Sequence, residues 1–194
     1  MTKLLISVLL AVGAAWANAA VVKADFKSAV DVPYVPGTTG PDYYQELGKT
    51  VGPGMEINAA SPRTILGGYN GGLVFMDFDP DSNVLTLISA SNTDFQTYVA
   101  SMTNMLFDSP GTLVGVDMLS NGLVNTGLAP SIWFSASDLV IRYDDINAFN
   151  FLERGSASFQ LRFRDGPGQV PEPGSLALFG LALAACAASR RRAA

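Results

Sequence analysis

The sequence contains no histidine and a single cysteine, and each shortage removes a class of chemistry. Without an imidazole, a serine or cysteine nucleophile loses its usual general base, and zinc loses its commonest nitrogen ligand. Cys186 lies in an apolar stretch near the C-terminus, so the body of the chain has no disulfide to staple it. Its serines stand in no nucleophile elbow. The run Gly67-Gly68-Tyr69-Asn70-Gly71-Gly72 lacks the Lys-Ser/Thr and helix start of a phosphate loop. The adjacent acids Asp144-Asp145 do not suit glycoside cleavage, because neighbours on a strand point to opposite faces. No enzyme is expected. Basic charge is also scarce, with 12 Lys and Arg against 17 Asp and Glu and a formal charge of −5. Lys3, Arg190, Arg191 and Arg192 sit at the chain ends. Lys23, Lys27, Lys49, Arg63, Arg142, Arg154, Arg162 and Arg164 are left to face acids that outnumber them. A body this acidic excludes nucleic acid as a partner, since phosphate binding needs a basic face. It is also repelled by anionic lipid.

Both ends read as addressing segments and are set aside from the fold. Lys3 precedes the apolar run Leu4 to Ala15, and Ala17-Asn18-Ala19 supplies small residues where a signal peptidase reads them. Residues 1–19 are therefore expected to be a signal peptide, cut between Ala19 and Ala20. An uncleaved anchor is the alternative, and the shortness of the run speaks against it. At the other end, Pro171-Glu172-Pro173 and Gly174 precede an apolar run over 176–188, then Ser189 and Arg190-Arg191-Arg192. Residues 175–189 are expected to form a short membrane helix. At about 1.5 Å per residue its apolar part spans roughly 20 Å, against about 30 Å of hydrocarbon. The prolines hold the tripeptide extended, as a protease groove requires. Ser175 suits the N-cap, and Gly180, Ala184 and Ala188 give a small-residue face. The arginines favour the cytoplasmic side and act as the membrane stop.

The order of tripeptide, short apolar helix and terminal arginines resembles the PEP-CTERM sorting signal, with Val170-Pro171-Glu172-Pro173-Gly174-Ser175-Leu176-Ala177-Leu178 close to its consensus. The resemblance covers only the tail. It implies a Gram-negative bacterium that makes extracellular polysaccharide. It also implies export, transient insertion in the inner membrane, and cleavage near Pro171, Glu172 and Pro173 by a multi-spanning exosortase. Signal peptidase and the exosortase are then the partners during export. A plain C-terminal anchor is the rival reading; it would need no Pro-Glu-Pro and would prefer a longer span.

Residues 20–165 form the ectodomain, 166–170 a polar linker, and 171–194 the sorting tail. Short β-prone runs separated by Gly, Pro and Asn turns predict a mainly β fold, an antiparallel β-sandwich of jelly-roll or immunoglobulin-like type. Strands are expected over Ala24 to Val30, Leu73 to Phe78, Val84 to Ser89, Thr112 to Leu119, Ser131 to Ser135, Leu139 to Tyr143 and Ala157 to Arg164. Met55 to Asn58 and Thr64 to Leu66 are shorter candidates. Asp42 to Leu47 reads as a helical turn. Phe95 to Phe107 fits both periods, and its Thr, Tyr, Val and Phe content favours strand. The expected core is Leu73, Phe75, Leu85, Leu87, Val114, Val116, Trp133, Val140, Phe159, Leu161 and Phe163.

Two surface constellations remain. Asp77, Asp79, Asp81 and Asn83 alternate, a spacing that can wrap calcium. Pro80 and Ser82 break the EF-hand pattern, and a hairpin turn is the simpler reading. Calcium is the only cofactor the residues suggest. Tyr34, Tyr43, Tyr44, Tyr69 and Trp133 are the aromatics available to stack on sugars, with Tyr43 and Tyr44 in an irregular segment suited to binding. The sequence thus points to an exported surface or extracellular-matrix protein with a structural or adhesive role. A carbohydrate-binding module that holds polysaccharide is the alternative.

Overall fold

In a computed structural model of the chain, the structure describes residues 19–31, 42–66 and 74–165. These form ten strands and no helix. They are β1 (Val21–Asp31), β2 (Asp42–Thr50), β3 (Arg63–Thr64), β4 (Val74–Asp79), β5 (Val84–Ser89), β6 (Thr93–Phe107), β7 (Gly111–Asn121), β8 (Ser131–Phe134), β9 (Leu139–Phe151) and β10 (Ser156–Asp165). Six strands make one sheet in the order β3-β2-β1-β6-β9-β8, and four make a second in the order β4-β5-β10-β7. The pairings within both sheets are antiparallel. One continuous apolar cluster lies between the sheets, so the architecture is a β-sandwich.

The register shows how alternation builds the inner face. Tyr44, Ser28, Ala100, Ile141 and Ile132 are cross-strand partners along one row of the larger sheet. Partners in register point the same way, and the first four of these are buried. In the smaller sheet Met76 pairs with Leu87 and Leu87 with Ala157, while Phe78 pairs with Leu85 and Leu85 with Phe159. All six are fully buried. Tyr98, Tyr143, Phe149 and Phe151 form an aromatic knot, with the Phe151 ring edge-on to Tyr98 at 5.1 Å and to Phe149 at 5.3 Å.

Polar bonds cross between the layers at several places, among them the Tyr143 hydroxyl of β9, which donates to Asn121 Oδ1 of β7 at 2.9 Å. The Ser28 hydroxyl on β1 donates to the Val74 carbonyl on β4 at 2.6 Å. The 135–138 loop accepts from both sheets, the Met105 N–H donating to Ser137 O at 3.0 Å and the Leu113 N–H to Ala136 O at 2.8 Å. Beside that loop Asn104 adopts a left-handed φ of 52° in a bulge of β6. Its backbone N–H donates to Asp138 Oδ1 at 3.0 Å and its side chain donates to Asp25 Oδ2 at 2.7 Å. Asn tolerates this conformation better than most residues.

The hairpin, the strand over Phe95 to Phe107 and the cleanly alternating β10 match the sequence reading. Met55 to Asn58 contributes only a bridge between Ile57 and Met76, and Thr64 to Leu66 shrinks to Arg63–Thr64. The helical turn expected over Asp42 to Leu47 is instead β2, because pairing with β1 along seven register positions overrides any local helical preference. Four expected core residues point outward. Val114 is 40% exposed because a bulge against Arg162 and Phe163 inserts an extra residue in β7. Phe75 and Val140 occupy the outer faces of strands whose inner residues are Val74, Met76 and Phe78, and Leu139, Ile141 and Tyr143. Trp133 is 53% exposed on edge strand β8. Leu73 lies outside the described residues.

Candidate functional site

The two ends of the described domain meet at one pole of the sandwich. β1 begins opposite the end of β6, Val21 against Phe107, and β10 ends opposite the start of β7, Asp165 against Gly111. The backbone N–H of Ala19 donates to Asp165 Oδ1 at 2.7 Å. That of Ala20 donates to Asp108 Oδ1 at 2.9 Å, and the Asp108 N–H returns to Ala20 O at 3.0 Å. Charge-assisted bonds of this kind are among the stronger ones. The first and last described residues of the domain therefore lie side by side. Ala17, Pro171, Glu172, Pro173, Arg190, Arg191 and Arg192, the linker 166–170 and the helix expected over 175–189 lie outside the described residues. Among the described residues no helix is long and apolar enough to cross a membrane.

Tyr43 and Tyr44 do not share a face. Strand alternation sends Tyr44 inward, where it is 8% exposed, with the Arg63 guanidinium 5.7 Å from its ring centroid. Tyr43 faces out, with Lys27 Nζ 4.1 Å from its ring centroid. On the same outer face two neighbouring rows run Tyr43, Ala29, Val99, Arg142, Ser131 and Gln45, Lys27, Ser101, Val140, Trp133. An aromatic ring thus stands near each side of this face, with Ala29, Val99, Ser101 and Val140 between them and the longer Lys27 and Arg142 alongside. Sequence reasoning named both aromatics but did not join them, because the strand order that connects β2 to β8 is set by crossovers. Arg142 bonds Asp144 at 2.8 Å, and Thr97 donates to the same carboxylate at 2.8 Å. The aspartate is thus held on the exposed strand surface. Tyr34 and Tyr69 lie outside the described residues.

Asp79 spends its carboxylate on the hairpin turn. Its Oδ1 accepts the Asp81 N–H at 3.0 Å and its Oδ2 accepts the Ser82 hydroxyl at 2.5 Å. The Ser82 hydroxyl and the Asp81 N–H hold this carboxyl below its ordinary range. Asn83 supplies the left-handed position, φ 55°, and Asp77 stands on β4 opposite Thr86. Among the described residues no group of three or more acidic side chains converges as a metal site would require.

One titratable group escaped the sequence reading. Glu56 is 1% exposed, and its Oε2 accepts the Phe78 N–H at 2.7 Å. Burial pushes its carboxyl up to about 6, against the pull of the Phe78 N–H and with help from Asp77. Its position between Met55 and Ile57 is the only signal the sequence offers. The raised value means that the protonated form is favoured by folding. This contribution is fully present below the unfolded value of 4.5 and is lost as pH rises through about 6. After allowance for solvent screening the loss is about 1 kcal/mol. Urea denaturation at steps from pH 4.5 to pH 7.5 is expected to show this decline in the native protein and its absence in Glu56→Gln.

Residues 169–192 match the family model described as the PEP-CTERM protein-sorting motif. The tail is a PEP-CTERM sorting motif. The match takes in Pro171, Glu172 and Pro173 at one end and Arg190, Arg191 and Arg192 at the other. No curated protein and no solved structure matches the chain. The PEP-CTERM motif marks an exported protein that an exosortase sorts, through a membrane-associated step, toward the cell surface.

Proposed function

We propose that the β-sandwich is delivered to the cell surface or the extracellular matrix and works there as a structural or adhesive component. The observation that carries this reading is the PEP-CTERM motif, separated by a short linker from an all-β domain whose first and last described residues bond to each other. In this reading the domain is translocated behind its signal peptide. Arg190, Arg191 and Arg192 halt the tail in the inner membrane. The exosortase then cuts near Pro171, Glu172 and Pro173, and the domain needs neither cofactor nor metal. The test is the intact mass of the protein in culture fluid and outer layers of the native host, with and without the exosortase gene. A species lacking both leader and tail helix, found only when the enzyme is present, is the expected result. A full-length tail retained in the membrane of both strains would make this a plain anchored domain.

The outer face between Tyr43 and Trp133 favours a second reading, a carbohydrate-binding module for exopolysaccharide. Aromatic rings stack on the apolar faces of sugars, and Trp133 is half exposed with no ring partner among the described contacts of its row. Trp133→Ala is expected to weaken binding to the host's polysaccharide by up to about tenfold, or about 1.4 kcal/mol. Tyr43→Ala is expected to act in the same direction. A glycan-binding assay in which both variants bind like the native protein would remove this reading.

A further inference from the structure

The leader offers two overlapping frames with small residues at the positions a signal peptidase reads, Ala15-Trp16-Ala17 and Ala17-Asn18-Ala19. The first would leave Asn18 at the head of the mature chain, the second Ala20. We infer that the Ala17–Asn18 bond is the one cut, so that Ala19 remains in the mature protein as part of its fold. This inference rests on the signal-peptide reading of residues 1–19.

Ala19 behaves as a core residue. It is 1% exposed, and its methyl group fills the space where Gly111 lacks a side chain. A Cβ at Gly111 would stand 2.4 Å from Ala19 Cβ and 3.0 Å from the Phe107 ring. Gly111 has no left-handed φ to require glycine; the close approach of Ala19 requires it. The backbone N–H of Ala19 also supplies the bond to Asp165. Charge does not choose between the two bonds. A cut after Ala19 puts the new ammonium on Ala20 beside Asp108, and a cut after Ala17 puts it on the residue next to the Asp165 contact. Packing does choose. Loss of Ala19 opens a methyl-sized hole over Gly111 and the Phe107 ring, and such holes are costly in a close-packed interior. It also takes away the Ala19 N–H that holds Asp165, the last described residue before the linker.

The deciding experiment expresses the full chain with its own leader in a Gram-negative host and determines the N-terminal residue of the processed protein. Asn18 at the head is expected. Ala20 at the head overturns the inference and leaves the signal-peptide reading standing. A retained Met1 end overturns both. A second arm uses Ala15→Gln, which spoils the first frame and leaves the second intact, outside the described fold. It is expected to abolish the Asn18 terminus, and an undiminished yield of product with that terminus overturns the choice of frame.

Discussion

Phe151→Ala is expected to cost the domain about 3–5 kcal/mol of stability, the range for truncating a buried phenylalanine. Phe151 is fully buried and sits edge-on to three other aromatic rings, those of Tyr98, Tyr143 and Phe149. Each such ring pair adds about 0.5–1.5 kcal/mol beyond the area it buries. The domain has no cysteine, so nothing covalent compensates for a weakened core. A domain of this size has only about 5–15 kcal/mol in total, so the variant approaches the threshold of unfolding. Urea denaturation followed by far-ultraviolet circular dichroism reads the difference, since Trp133 is the one tryptophan of the ectodomain. Trp133→Ala is the contrast, and its expected loss is under about 1 kcal/mol because the ring stands on the solvent face of an edge strand. Equal losses from the two variants would contradict the assignment of inner and outer faces.

The contrast between these two aromatics shows what the sequence discloses and what it withholds. Strand positions were legible wherever turn residues frame an alternating run, as at Asp79 to Asn83 and around Ser156 to Asp165. Which side of a strand faces inward was legible only where polar residues fix the phase. In β10 Gln160 and Arg162 point out, and Phe159 and Leu161 were placed correctly. In β4 the run from Leu73 to Met76 is apolar on both sides. Only Asp77 and Asp79 reveal that the even-numbered residues go in. In β9 Arg142 does the same for Val140. Val114 is turned out by a bulge in mid-strand, and the isolated Gly115 beside it, opposite Arg162 at the register shift, is the one residue that announces it. Trp133 looked like core because large aromatics usually are; its exposure follows from its place on an edge strand, and edges are decided by strand order. The sorting motif over 169–192 was legible because its information is carried by consecutive residues. The pole where Ala19 bonds Asp165 was not, since the two residues lie 146 positions apart.

The second large effect is expected at Ser28. Ser28→Ala should cost about 1–3 kcal/mol, the penalty for leaving buried polar groups without partners. The Ser28 hydroxyl is fully buried and uses its one proton on Val74 O at 2.6 Å, so the Tyr98 hydroxyl, 3.2 Å away, must donate to Ser28 Oγ. Burial pushes the Tyr98 phenol up, which keeps that proton in place. Removing the serine hydroxyl strips the Val74 carbonyl and the Tyr98 hydroxyl at once, and it cuts a bond that joins the two sheets. Adding Tyr98→Phe removes one of the two stranded groups. The double variant is therefore expected to lose less than the sum of the single losses, with a coupling on the order of 0.5–3 kcal/mol. Strict additivity in a denaturant double-mutant cycle would mean that the two hydroxyls do not interact.

The position of β10 also has a mechanical consequence. It is the last strand before the tail, and it lies in the interior of its sheet between β5 and β7. Its register runs over five positions with β5 and nine with β7. Ladder hydrogen bonds stand perpendicular to the strands they join. A pull on the tail acts along β10, so it shears both ladders together and does not unzip one edge bond after another. While membrane or protease holds the tail, the domain hangs from one of its most firmly gripped strands, and tension reaches the linker before it can open the fold.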